Sequence, residues 1–348
     1  MNPYVLLIFL TSLGLGTTLT FASSHWLLAW MGLEINTLAI IPLMSQHHHP
    51  RAVEATTKYF LTQATAAAVI LFAATVNAWT LGTWEIPNMS NSTANTMLII
   101  ALALKIGLAP MHLWMPEVLQ GLDLPTGLIL STWQKLAPLA LILQASQNVS
   151  PLLLMTLGLL STLVGGWGGL NQTQLRKTLA YSSIAHMGWM IIILQHAPQL
   201  TLMALLTYIL LTSAAFLTLN TLAATKINAL TSTWSKNPPL SATAALVLLS
   251  LAGLPPLTGF IPKWLILQEL TKQALPMTAT IMALAALLSL YFYLRICYSM
   301  TLTVSPNTNN SSTPWRTATT QSSLLLALST SAALALLPIT PAILTLTT

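Results

Sequence analysis

The chain has 348 residues, 55% of them hydrophobic and only 5% charged, with a formal net charge of +6 and a mean hydropathy of +0.74. A soluble fold carries about 25% charged residues, so this composition excludes one and specifies an integral membrane protein. The basic excess is spread along the chain without a cluster, which leaves no footprint for nucleic acid.

Eleven apolar runs follow one another, at about 3–21, 25–44, 59–80, 97–115, 124–145, 151–170, 176–195, 200–224, 241–268, 276–300 and 322–345. Most are close to the ~20 residues that a helix needs to cross the hydrocarbon core. The predicted fold is therefore all-α, a polytopic membrane bundle of about 11 transmembrane helices forming one domain over 1–348. The first run lacks a basic n-region and a small-residue cleavage site and reads as a retained helix. Run 241–268 would make a straight helix of about 42 Å at ~1.5 Å per residue, too long for one crossing. A break is predicted near Gly253, Pro255, Pro256 and Gly259, between Gly253 and Pro262. GGWGG at 165–169 suits a turn and close helix packing.

Eleven crossings put the termini on opposite sides, and the basic residues choose the side. The N-terminus and every second loop carry Arg51, Lys58, Arg176, Lys177, Lys226, Lys236, Arg295 and Arg316, against Lys272 alone on the other side. By the positive-inside rule the N-terminus and the loops at 45–58, 171–177 and 225–240 face the matrix or cytoplasm. The C-terminus and the polar stretch 81–96 face the opposite side. That stretch and 301–321 read as surface loops.

Four charges remain inside apolar runs. Glu34 is centred in HWLLAWMGLEINTLAIIPLM, Lys105 in MLIIALALKIGLAPMHLW and Lys135 in LILSTWQKLAPLALIL, and Lys263 follows LAGLPPLTGFIP. Each costs roughly 2.5–3.5 kcal/mol at bilayer depth on insertion scales, so such residues mark ion or proton pathways by default. Pro110, Pro138 and Pro262 lie close to the three lysines, and a proline inside a helix frees a carbonyl that water or a neighbour must satisfy. Broken helices at mid-membrane are how transporters build such sites. Blander readings stand beside this one. A lysine near a span end snorkels, which is the reading for Lys58 and Arg295, and a buried Glu34–lysine pair can serve packing alone. Glu117 and Asp123 read as loop acids. His112 and His186 lie within or near apolar runs, the second beside Tyr181, Ser182 and Ser183, where packing and a hydrated path are both open.

Other chemistry is thinly represented. Cys297 is single, so no disulfide or thiolate metal site forms within the chain. The tract His47, His48, His49 has no acidic or thiol ligand beside it and reads as a solvated loop. The Asn-x-Ser/Thr matches at Asn88, Asn91, Asn148, Asn171 and Asn309 are what a chain rich in these residues produces by chance. No nucleotide fingerprint, Gly-rich phosphate loop or CxxC pair occurs.

The strings SSHWLLAWMGLEINTLAIIPLM, KYFLTQATA, LKIGLAPMHLWMPEVLQGL, LSTWQKLAPLALI, GGWGGLNQTQLRKTLAYSSIAHMGW and LAGLPPLTGFIPKWLILQEL carry a resemblance over nearly the whole length. They resemble the antiporter-like membrane subunits of vertebrate mitochondrial NADH:ubiquinone oxidoreductase, respiratory complex I, which are themselves similar to subunits of multisubunit cation/proton antiporters. The element from Lys105 to Pro116, K-x-G-x-A-P-x-H-x-W-x-P, is its most specific part. The resemblance implies a proton relay in which Glu34 is the acidic partner of Lys105, Lys135 the connecting lysine and Lys263 the lysine of the second broken helix. His112 and His186 match polar positions near a hydrated axis. It also implies the inner mitochondrial membrane, with the N-terminus on the matrix side, and as partners other membrane-arm subunits, accessory subunits and lipids. No cofactor is expected in this chain, since NADH, FMN, iron–sulfur clusters and ubiquinone belong to other subunits. Bacterial relatives have fourteen helices with the glutamate on the fifth, whereas here it is on the second, so the resemblance implies a form that lacks three N-terminal helices.

Burial favours the neutral forms of lysine and glutamic acid while their mutual attraction favours the charged forms, so moving one partner toggles the proton of the other. In that reading Ser131 and Thr132 offer hydroxyls for transfer beyond Lys135. A stand-alone cation/proton antiporter and a passive membrane scaffold are the alternatives.

Overall fold

The computed structural model describes residues 2–302, apart from 47, 90 and 236, and residues 324–342. Among them the regular structure is helical, without a strand, and two isolated antiparallel bridges join loops. Seven helices are long and apolar enough to cross a membrane, and three shorter apolar helices accompany them. The chain groups by contact into two compact units, Met1–Ser161 and Thr162–Thr348.

The first unit starts with α1 (Pro3–Ala22) and α2 (Trp26–Met44). The two cross closely because both contact positions are glycine: a Cβ on Gly16 would lie 2.9 Å from the Gly32 carbonyl oxygen and 2.3 Å from Asn36 Oδ1. Helix α3 runs over Pro50–Leu81, so it begins within the segment expected as the basic loop 45–58. Pro50 occupies its first turn and His49 caps it, accepting from the Arg51 N–H at 3.3 Å, so the described end of the histidine tract is a helix start. His47 lies outside the described residues.

The run 97–115 is divided into α4 (Ser92–Ile106) and α5 (Trp114–Gly121), and the run 124–145 into α6 (Leu124–Ser131) and α7 (Trp133–Ala145). Stretch 81–96 is not simply a surface loop. Ile86 and Met89 are each 1% exposed, and Asn91 caps α4 by accepting from the Thr93 N–H. Asn148, another of the chance glycosylation matches, donates through Nδ2 to the Pro87 carbonyl at 2.6 Å.

Helix α8 (Pro151–Gly169) leads into the second unit, with α9 (Leu175–Ile193), α10 (Pro198–Thr221), a short α11 (Ile227–Thr231), α12 (Pro238–Ala252), α13 (Phe260–Lys272), α14 (Pro276–Leu302) and α15 (Leu324–Ala335). GGWGG is helical to its end. A Cβ on Gly165 would sit 2.7 Å from the Ala185 backbone nitrogen, which makes it a packing surface. The long run near 241–268 is interrupted as expected, since α12 stops at Ala252 and α13 starts at Phe260. Most of the polar stretch 301–321 and the end of the chain lie outside the described residues.

Two basic residues expected to snorkel have defined partners. Lys58 Nζ stands 2.7 Å from both Glu54 Oε1 and Glu117 Oε2, so Glu117 is a helical residue of α5 in an ion pair and no loop acid. Arg295 donates to the carbonyls of Leu170 and Gln172 and ties the end of α14 to the loop after α8.

Candidate functional site

Both broken helices stop in the same way. After α4 and after α12 the chain reads G-L-x-P, Gly107 to Pro110 and Gly253 to Pro256. Each glycine is left-handed at φ 85°, a conformation that a Cβ disfavours. Leu108 N–H returns to Ala103 and Leu254 N–H to Leu249, the Schellman closure of a helix end. The proline then prevents continuation. Carbonyls at each end are released to other donors. Trp114 Nε1 takes that of Leu104 at 3.0 Å, Gln63 Nε2 that of Lys105 at 3.4 Å, and Lys263 Nζ that of Ala252 at 2.8 Å. The C-terminal end of a helix carries partial negative charge, so each break presents its lysine with a favourable field.

In the first unit, Lys105 occupies the last turn of α4 and is 6% exposed, and Lys135, on the first turn of α7 after the interruption at Thr132, is 2% exposed. The fold brings both to one cavity, with Asn36 and Thr37 from α2, Tyr59 and Gln63 from α3, Trp114 from α5 and Gln134 from α7. Pro138 lies inside α7 and also lines the cavity.

Glu34 is half-buried on α2 and approaches this cavity indirectly. Thr37 Oγ1, on the cavity wall, donates to Glu34 Oε2 at 3.1 Å and to the Glu34 carbonyl at 2.9 Å. Among the described residues Glu34 and Lys105 form no ion pair within 4.0 Å. The Lys105 amine has no hydrogen-bond partner among the described residues. Ser131 and Thr132 do not line the cavity, and their hydroxyls donate back to the Leu128 carbonyl, at 3.1 and 2.7 Å.

His112 sits in the non-helical segment between α4 and α5, with Nδ1 3.2 Å from the Pro110 carbonyl oxygen. It is not among the residues that line the cavity.

In the second unit, Lys263 is 9% exposed and reaches back from α13 over the gap left by Gly253, where a Cβ would lie 3.0 Å from Nζ. His186, Trp189 and Lys263 line two neighbouring cavities. One adds Ser182, Ser289 and Tyr293, and the other adds Thr207, Tyr208 and Gly259. The His186 and Tyr208 rings are 5.6 Å apart. Among the described residues no group of three or more His, Cys, Asp or Glu side chains gathers as a metal site would require.

Sequence reading missed Asn36, Thr37, Tyr59, Gln63 and Gln134 on the first cavity and Tyr208 and Tyr293 on the second. Two signals were present, Asn36 two residues after Glu34 and Gln134 next to Lys135 within apolar runs, and the repeated G-L-x-P.

Residues 23–289 match the family described as NADH:quinone oxidoreductase/Mrp antiporter, transmembrane, and residues 290–344 match NADH dehydrogenase subunit 2 C-terminus. NADH-ubiquinone oxidoreductase chain 2 of Carassius auratus is 78% identical over 100% of both chains, and that of Danio rerio 72% identical over 100% of both. Among solved structures, a chain of respiratory complex I from Thermus thermophilus with bound Aureothin is 29% identical with a TM-score of 0.84, covering 97% of this chain and 78% of its own. A chain of the Mrp complex from Dietzia sp. DQ12-45-1b aligns with a TM-score of 0.82 at 15% identity, covering 97% of this chain and 76% of its own, a likeness of fold.

Proposed function

This chain belongs to the NADH:quinone oxidoreductase/Mrp antiporter family of membrane subunits, and from that premise we propose that it is the chain 2 subunit of a mitochondrial proton-translocating NADH:ubiquinone oxidoreductase. Its part is to carry protons across the inner membrane along Glu34, Lys105, Lys135 and Lys263, with His186 beside the last. His112 is a weaker member. NADH, FMN, iron–sulfur clusters and ubiquinone act in other subunits and supply the driving energy. The partners are the neighbouring membrane-arm and accessory subunits and lipid, and 1–348 works as one antiporter-like domain.

One observation carries this reading: Lys105 and Lys135 share a buried polar cavity while the nearby carboxylate, on Glu34, is held by Thr37 and not by a lysine. A scaffold that buried charges only for packing would close them into contact pairs, because an uncompensated buried charge is strongly destabilising. A proton carrier needs the partner close enough to bias the lysine and loose enough to release it. An ionised Glu34 holds Lys105 as ammonium. Once Glu34 is protonated, the charge on Lys105 has lost its counterpart and the proton passes toward Lys135. The two interruptions, after Ile106 and at Thr132, lie close to the two lysines that line the cavity, which supports this reading.

The proposed topology has eleven crossings, counting α4 with α5, α6 with α7 and α12 with α13 as single spans, and an N-terminus in the matrix. Loops that this alternation assigns to one side meet each other. Gln174 bridges to Lys226, Lys58 to Glu117, and Arg295 to Leu170 and Gln172 on the matrix side, and His25 bridges to Glu85 and Asn148 to Pro87 on the opposite side.

The test is proton pumping by the assembled enzyme in proteoliposomes with Lys105→Met, which keeps volume and removes charge. Loss of quinone-coupled pumping in a correctly assembled complex is expected, and full pumping overturns the relay. Isolation of the chain as an active exchanger free of an NADH-oxidising assembly would favour the stand-alone antiporter.

A further inference from the structure

Asn36 is 2% exposed, lies on the wall of the cavity that holds Lys105 and Lys135, and has neither Nδ2 nor Oδ1 hydrogen-bonded among the described residues. That is unusual, since the large majority of buried side-chain polar atoms have a partner in protein or ordered water. Its amide is also closely held. Gly16 leaves room for it where any Cβ would collide with Oδ1, and the Asn36 main-chain carbonyl, not the side chain, accepts from Gln134 Nε2 at 3.2 Å. The residue is thus clamped by α1 on one side and by the neighbour of Lys135 on the other, with its side-chain donor and acceptor atoms unused. On the same wall, the Lys105 amine is unused too.

We propose that Asn36 is the positioning residue of the Lys105–Lys135 step, holding ordered water that bridges the two amines. The chemistry suits a neutral amide. It offers two N–H donors and a carbonyl acceptor, so a water beside it can donate or accept without a charge that would trap the proton. Proton transfer leaves atoms balanced: Lys105 gives a proton to the water as the water gives one to Lys135, and the amide is unchanged. The cavity is lined in part by polar side chains and has about 10 Å³ of room, on the scale of a single water, which is the setting in which a buried water is kept. An aspartate here would instead hold Lys105 as a contact pair, and a leucine would dry the path.

This inference rests on the relay proposed above, and the experiment separates them. The whole complex carrying Asn36→Leu, Asn36→Ser or Lys105→Met is purified and reconstituted, and assembly, NADH oxidation by an artificial acceptor, quinone-coupled pumping and its solvent deuterium isotope effect are compared. Asn36→Leu is expected to assemble, to keep the artificial-acceptor rate, and to lose pumping about five-fold or more, the rate equivalent of one lost hydrogen bond, with an enlarged isotope effect. Asn36→Ser, which keeps a hydroxyl and frees space for water, is expected to regain most of the rate. Normal pumping with Asn36→Leu while Lys105→Met is inactive overturns the role of Asn36 and leaves the relay standing, whereas normal pumping in both overturns the relay. If Asn36→Leu fails to assemble, Asn36→Ser and a high-resolution map of the unaltered complex decide. Density for water within hydrogen-bond reach of the Asn36 amide supports the proposal, and an amide bonded only to protein overturns it.

Discussion

The Lys263 amine donates to the Ala252 carbonyl at 2.8 Å, spanning the gap between α13 and the end of α12. The break in the helix is what creates the acceptor, because an uninterrupted helix would spend that carbonyl on a later amide. A lysine buried at membrane depth is thus matched with a helix C-terminus in place of a carboxylate. Such a partner cannot itself take the proton, so it biases Lys263 without competing for it. Replacing Lys263 with methionine should leave an assembled complex whose pumping falls at least about ten-fold, with the Ala252 carbonyl left unsatisfied at about 1–3 kcal/mol. Pumping assays on proteoliposomes check this, and a variant that pumps normally removes Lys263 from the path.

Gly253→Ala probes the same contact from the backbone. Its φ of 85° and the 3.0 Å separation between an added Cβ and Lys263 Nζ both oppose a side chain. The left-handed conformation alone costs about 1–2 kcal/mol. We expect faster heat inactivation and reduced pumping, whereas Gly14→Ala, where an added Cβ meets nothing within 4 Å, should change neither. Equal behaviour of the two variants would show that the α12 end tolerates a side chain.

Glu34→Gln and Lys105→Met should be strongly non-additive. In the proposed relay the carboxylate biases this same amine, so removing either ends the same step, and the double variant should pump no worse than Lys105→Met alone. Additive losses in a double-mutant cycle would mean that Glu34 works elsewhere.

Arg295→Met should separate structure from transport. Arg295 satisfies the Leu170 and Gln172 carbonyls near a membrane face, where water can replace it in part. The expected result is a complex that is lost faster on heating by the equivalent of about 1 kcal/mol, with an unchanged number of protons per electron. A changed stoichiometry would contradict a purely structural role.

The sidedness assignment is open to direct attack by protease. Sealed mitoplasts expose the face opposite the matrix, so cleavage should occur in 81–89 and be absent from 171–177 and 225–235 until the membrane is opened. Cutting at 225–235 in sealed mitoplasts would reverse the orientation.

Much of this architecture is written locally in the chain. Hydrophobic runs declare helices because a backbone in lipid has to satisfy its own hydrogen bonds, and glycine and proline mark breaks by restricting φ and removing a donor, wherever they fall in the fold. The interruption at Gly253 and the burial of Lys105, Lys135 and Lys263 were legible on those grounds, and so was the basic bias among the loops. Which groups meet was not. Lys263 finding a main-chain carbonyl, Glu34 held by Thr37 and standing off from Lys105, Lys58 shared by Glu54 and Glu117, and Asn36 standing unsatisfied on a cavity wall with two lysines depend on the rotation and axial offset of one helix against another. Those offsets come from the packing of small side chains, such as Gly16 against Gly32, summed over every contact of the bundle. Residue order therefore determined what is helical, what is broken and what is charged, and tertiary packing alone decided which buried polar atoms face one another.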